Sequence, residues 1–240
     1  MRQNYELNVP LPVSPAKVQE TFIAAMQRVY LWMALGLALT TAVALFVSTS
    51  EAALNFIFGN TFVFFGLIIG EFILVIAISA AINRISPGAA LGLFFGYAAL
   101  NGATLAIIFL AYTGSSIVLT FGVTAGLFGV MSVLGYTTKQ DLTKWGPILF
   151  IGLIGFLIGS VANFFIASTA LQWILTYVGI GIFLGLVVYD TQRIKKMTMG
   201  AIMQDEATAV SRIGILGALR LYLDFINLFL LLLRIFGRRR

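Results

Sequence analysis

Asp190, Asp224 and Glu71 are the carboxylates that this sequence places within or at the edge of long apolar runs, and Arg84, Arg220 and Arg234 are the arginines that accompany them. An ionisable side chain at the centre of a membrane helix costs roughly 2.5–3.5 kcal/mol on insertion scales, so each is a functional candidate until a duller role accounts for it. At about 100° per residue, Gly217, Arg220, Asp224, Asn227 and Arg234 fall on one stripe of the last apolar segment, while Leu and Phe occupy nearly everything else. Such a stripe belongs against protein or water rather than lipid. If Arg220 snorkels to the interface, Asp224 lies about 6 Å, one turn, inside it. Asp190 precedes Arg193 by just under a turn, so the two aspartates reach similar depth. Two carboxyls brought together in a low-dielectric site cannot easily both ionise and would titrate as one coupled unit, a proton sensor.

Duller roles stand beside these. Asp224 can simply pair with Arg220 four residues earlier, and Asp190 can balance Arg193, Lys195 and Lys196 at the interface. Glu71, mid-span in the second apolar run, is either a proton or cation site or a carboxylate satisfied by a neighbouring hydroxyl or backbone group. The chain has no His and no Cys, which removes the common near-neutral proton switch, disulfides and thiolate metal sites and leaves any pH sensing to carboxylates. There is no Gly-rich phosphate loop, no paired-His zinc helix and no His for a serine triad. A membrane aspartyl protease also uses two aspartates on two helices. Here, however, Asp224 sits in Leu-Tyr-Leu-Asp-Phe and Asp190 in Val-Val-Tyr-Asp-Thr, without the Gly-X-Gly-Asp surroundings. The expectation is that the protein is not an enzyme.

The elements that must position these residues are membrane helices. Of the 240 residues 60% are hydrophobic and 10% charged, a balance that water alone does not solvate. Apolar runs at 30–47, 62–82, 89–112, 117–137, 147–168 and 171–188 are long enough to cross a bilayer. A seventh, at 221–236, is about 24 Å of helix, short for a full crossing, and is open to either a span or a re-entrant segment. Residues 1–13, with Pro10 and Pro12, read as a flexible cytoplasmic tail before a helix capped by Ser14 with Pro15 at its first position. Residues 14–240 then form a single transmembrane helical domain. Lys and Arg occur in every second connection (Arg84; Lys139 and Lys144; Arg193, Lys195, Lys196 and Arg212), whereas the connections around Glu51, Gly114 and Thr169 have none. That alternation predicts a cytoplasmic N-terminus. The net charge of +6 sits at helix ends and both termini, which suits lipid headgroups and not nucleic acid. Recurrent glycines, such as Gly88, Gly92 and Gly96 or Gly122 and Gly126, are spaced for close helix packing.

The run Leu-Gly-Ala-Leu-Arg-Leu-Tyr-Leu-Asp-Phe-Ile-Asn-Leu-Phe-Leu-Leu-Leu-Leu-Arg-Ile-Phe-Gly at 216–237 resembles the C-terminal signature of the Bax inhibitor-1 family, also called the transmembrane Bax inhibitor motif family. Val-Tyr-Asp-Thr-Gln-Arg-Ile at 188–194 and Gly-Tyr-Thr-Thr-Lys-Gln-Asp-Leu at 135–142 extend the likeness over most of the chain, in the manner of the bacterial branch. The resemblance implies an all-α integral membrane protein, a seven-helix bundle with its C-terminal helix central, and a pH-sensitive calcium leak. Asp190 and Asp224 would be the di-aspartyl sensor, and Arg84, at the inner end of the second span, its arginine latch. Arg220 and Asn227 would support them in the polar stripe. Calcium held by Asp190 and Asp224 would be bound weakly and transiently, since it prefers more oxygen ligands than these supply.

The expected function is therefore a calcium leak of a bacterial inner membrane, with no cofactor, and with lipid, calcium ions and protons as partners. Two rivals remain. A proton-coupled ion transporter would use Glu71 and the aspartates as a relay, and a non-transporting regulator would bind other membrane proteins, such as a protease or a stress-response complex.

Overall fold

A computed structural model describes residues 15–240; the expected tail at 1–13 and the Ser14 cap lie outside the described residues. The described chain is all-helical: α1 Pro15–Thr49, α2 Glu51–Phe58, α3 Thr61–Ala81, α4 Pro87–Ala111, α5 Gly114–Thr137, α6 Trp145–Ile166, α7 Thr169–Met203 and α8 Ala207–Phe236. Seven of these are long and apolar enough to span a membrane. The local sequence sets their starts. Ser50, Asn60, Ser86 and Ser168 each accept a hydrogen bond from a backbone N–H of the first turn, and Pro87 follows Ser86 at a position where no amide partner is needed. The short α2, which an apolar-run reading passes over, is one such capped turn between the first two spans.

The seventh segment does not re-enter. The last helix begins at Ala207, fourteen residues before the apolar run, and its 30 residues extend about 45 Å, more than the roughly 30 Å of a hydrocarbon core. Its far end meets the α4–α5 connection, one of those lacking Lys and Arg: the Thr113 amide donates to the Arg238 carbonyl and the Arg240 amide to that of Ala111, both at 3.0 Å. The arginines after α8 therefore sit at the end of the bundle opposite the other basic connections, against the charge pattern.

The last helix is the axis of the bundle. Leu219, Leu221, Tyr222, Leu228 and Leu233 are almost wholly buried, and the helix packs on α1, α4, α5 and α7. The outer pair, α3 and α6, rest mainly on α4 and α7 respectively. Their large side chains, among them Phe62, Ile76, Ile151 and Phe164, face outward, as lipid requires. Two backbone crossings depend on glycine: a Cβ at Gly102 would lie 2.6 Å from the Thr40 carbonyl oxygen, and one at Gly135 2.4 Å from that of Val188. These fix α1 on α4 and α5 on α7 at distances no other residue permits.

Candidate functional site

Because α3 and α6 stand apart, a cleft of about 810 Å³ runs between them down to α8. Leu153, Leu157, Phe183 and Leu230 make its walls apolar, and its polar lining includes Glu71, Asn101, Asp190, Arg193, Arg220, Asp224 and Asn227, with Tyr97 and Tyr189 beside them. The structure thus brings both aspartates, Glu71, Arg220 and Asn227 to one enclosure. On α8 the less buried positions Arg220, Leu223, Asn227 and Leu230 face it, so the stripe from Arg220 to Asn227 looks into the cleft, whereas Arg234 lies exposed toward the far end of the helix.

Asp190 and Asp224 are 7% and 5% exposed, and they lie near enough for their carboxyls to interact electrostatically. Arg220 donates from Nη1 to Asp190 Oδ1 at 3.2 Å, crossing from α8 to α7 instead of turning back to Asp224. The i−4 pairing that would have made Asp224 inert is not formed. Asp224 Oδ2 is buried without a hydrogen-bond partner, an expensive condition for a carboxyl oxygen. Arg84 is elsewhere: it lies exposed in the turn between α3 and α4, and among the described ion pairs the arginine on Asp190 is Arg220. Arg193 lines the cleft one turn beyond Asp190.

Glu71 is differently placed. Thr104 Oγ1 donates to its Oε1 at 2.7 Å and Asn101 Nδ2 to its Oε2 at 3.1 Å, so both carboxyl oxygens are satisfied. The Tyr222 hydroxyl donates to Asn101 Oδ1 at 3.0 Å and is 2.6 Å from Thr40 Oγ1, which also reaches the Ala98 carbonyl at 2.8 Å. Thr104 is the neighbouring hydroxyl expected as the duller role for Glu71; the relay of hydrogen bonds that continues from α4 through α8 to α1 was not anticipated. Its signals were Asn101 and Thr104, polar residues in an apolar run, and the one tyrosine of α8.

Beyond the membrane, the connection after α5 is clasped to α7. Gln192 donates to the Gln140 carbonyl at 2.8 Å and accepts from the Leu142 amide at 2.9 Å, Lys195 donates to the Tyr136 carbonyl at 2.7 Å, and Lys196 pairs with Asp141. Hydrogen bonding from Lys196, reinforced by Thr143, holds the Asp141 carboxyl well below the usual carboxylate range.

With this geometry in view, similarity to known proteins is extensive. The family model for "Inhibitor of apoptosis-promoting Bax1" matches residues 21–240. Inner membrane protein YbhL of Escherichia coli K12 is 48% identical over 228 residues, covering 95% of this chain and 96% of the relative. An uncharacterized protein of Borreliella burgdorferi is 44% identical over 223 residues, 93% of this chain and 94% of its own. One of Deinococcus radiodurans is 37% identical over 214 residues, 89% and 90% respectively.

Proposed function

The chain belongs to the Bax inhibitor-1 family of membrane proteins, and from that premise we propose that it is a pH-sensitive calcium leak whose sensor is the Asp190–Asp224 pair. The observation that carries this reading is Asp224: a buried carboxyl with an unpartnered oxygen, beside a second aspartate that holds the nearest arginine, at the floor of an open cleft. One arginine balances one ionised aspartate. The second carboxyl then has a choice of proton or cation, and that competition is what couples pH to calcium. Glu71 lines the same cleft but does not join the aspartates in a three-carboxylate cluster among the described residues, so calcium would be held by two carboxyls, Asn227 and water. Such a site is too poor for tight binding and suited to passage.

Protonation acts twice in this scheme. On Asp224 it removes the charge that attracts calcium, and when it reaches Asp190 as well it loosens that carboxyl from Arg220, so the path and its latch change together. Arg220 occupies the latch in the state described, and Arg84 is the arginine that would take it if α3 moved inward across the cleft. The alternation of Lys and Arg supports a cytoplasmic N-terminus, and the likeness to YbhL supports a bacterial inner membrane as the location. The test is calcium entry into dye-loaded liposomes carrying the purified protein, recorded from pH 5 to 8. A leak that varies with pH in the wild type and ceases to vary in Asp190→Asn with Asp224→Asn is expected; an unaltered pH profile in the double variant would refute the sensor.

A second reading, a regulator that binds other membrane proteins, is favoured by α5, where Gly122, Gly126 and Gly129 have open space in front of them. It predicts no flux above empty liposomes at any pH.

A further inference from the structure

The end of the bundle opposite the aspartates has an unbalanced charge. Its three connections contain one charged residue, Glu51, and no Lys or Arg, yet Arg234, Arg238, Arg239 and Arg240 gather there at the end of α8. All four are exposed. The two ion pairs among the described residues, Lys196 with Asp141 and Arg220 with Asp190, both belong to the other end. Four like charges in a short stretch repel one another, so a partner of opposite sign should lower their energy.

The arginines are also held in place. After α8 the chain folds back along the α4–α5 connection: the Arg238 amide donates to Ser116 Oγ at 3.0 Å, Arg239 bridges to Tyr112, and the Thr113 and Arg240 amides complete the contact. The fold-back passes over the Tyr112 ring, and Gly237 makes this possible, since a Cβ there would lie 2.5 Å from the ring and 2.3 Å from the Leu233 carbonyl oxygen. Arg234 is tethered separately, Nη1 to Thr176 Oγ1 at 3.3 Å, next to Trp173 and Tyr177, which stack at 5.9 Å and are 42% and 61% exposed. Half-exposed Trp and Tyr at the end of a membrane helix mark the headgroup layer. The arginines therefore stand at the depth of lipid phosphates, and guanidinium groups fit phosphate oxygens in pairs.

We propose that Arg234, Arg238, Arg239 and Arg240 form a binding site for the phosphate of an anionic phospholipid in the leaflet at that end of the bundle. The lipid supplies the counter-charge that the protein lacks, and it anchors the outer end of the central helix. This site is independent of the aspartates and of any ion flux.

The test uses the full chain with Trp32→Phe and Trp145→Phe, which leaves Trp173 as the sole tryptophan, in detergent with dibrominated phosphatidylglycerol or dibrominated phosphatidylcholine. Trp173 fluorescence should be quenched by the anionic lipid at about tenfold lower concentration than by the zwitterionic one, and less so as salt rises. Replacing Arg238, Arg239 and Arg240 by Gln should abolish that preference. Gly237→Ala, which keeps every charge but displaces the fold-back, should weaken it, whereas Lys139→Gln with Lys144→Gln at the other end should leave it intact. Equal quenching by the two lipids, or a preference that survives the triple replacement, would overturn the proposal. Full displacement by millimolar inorganic phosphate would also overturn it, by making this a site for the free anion.

Discussion

The two groups of polar residues that face the cleft follow opposite rules. Around Glu71, both carboxyl oxygens have donors, and Asn101, Tyr222 and Thr40 extend the hydrogen bonds across four helices. Around Asp224, one turn of α8 beyond Arg220, a carboxyl oxygen is buried with no donor, and the only nearby ion pair is committed to Asp190. The difference separates a polar group that holds helices together from one left in need of a ligand. Burial alone would set half-buried Glu71 apart from the two buried aspartates; hydrogen bonding is what separates Asp224 from both Glu71 and Asp190.

The largest expected effect breaks the comparison at its unsatisfied side. Asp190→Asn with Asp224→Asn should flatten calcium flux across pH 5–8 while changing the thermal midpoint of the purified protein little, because an amide oxygen at 190 can still accept from Arg220 and the buried Asp224 Oδ2 has no donor to lose. On the satisfied side the balance reverses. Tyr222→Phe removes the donor to Asn101 and the partner of Thr40, and should lower stability by about 1–3 kcal/mol, read as detergent-induced unfolding, with the shape of the pH profile retained. If Tyr222→Phe instead moved the pH profile, the Glu71 relay would belong to the sensor. Next in size, Arg220→Gln should alter the resting leak by severalfold at neutral pH, more than Arg84→Gln; the opposite order would mean that the arginine on Asp190 exchanges readily with the one at the α3–α4 turn.

The spans were legible in the sequence because membrane burial writes long apolar runs that need no tertiary information. The start of α8 was not. Its first turns, with Ser211 and Arg212, are polar because they lie near the basic end, where Arg212 donates to the Ile85 carbonyl at 3.1 Å, so hydropathy undercounts the helix. The stripe through Arg220, Asp224 and Asn227 followed from helical period alone, and the convergence of Asp190 on it from depth. What periodicity could not give was the partner of each group. Arg220 is four residues from Asp224 in sequence, yet it reaches across to Asp190, a choice made by the packing of α7 on α8 around Gly217, where a Cβ would lie 3.0 Å from Ile194. Likewise Glu71 and Asn101 are thirty residues apart on separate helices.

The smallest expected effect concerns the clasp outside the membrane, and it tests whether the pH response is confined to the cleft. Asp141 is fully exposed, and its carboxyl is held low by Lys196 and Thr143. A carboxyl depressed in the folded state contributes stability above its ordinary range near pH 4, and that contribution is lost only as pH falls through the lowered folded value. From pH 5 to 8 the Asp141 carboxyl therefore stays ionised and its contact with Lys196 closed, and an exposed pair of this kind adds little to stability. Asp141→Asn should leave the pH profile of flux between 5 and 8 where it was. Its consequence should appear instead as faster amide exchange in the 138–144 connection, loosened where Lys196 no longer draws it onto α7. A shift of the flux profile in this variant would mean that the connection after α5 transmits protonation to the cleft, through Gln192, two residues from Asp190.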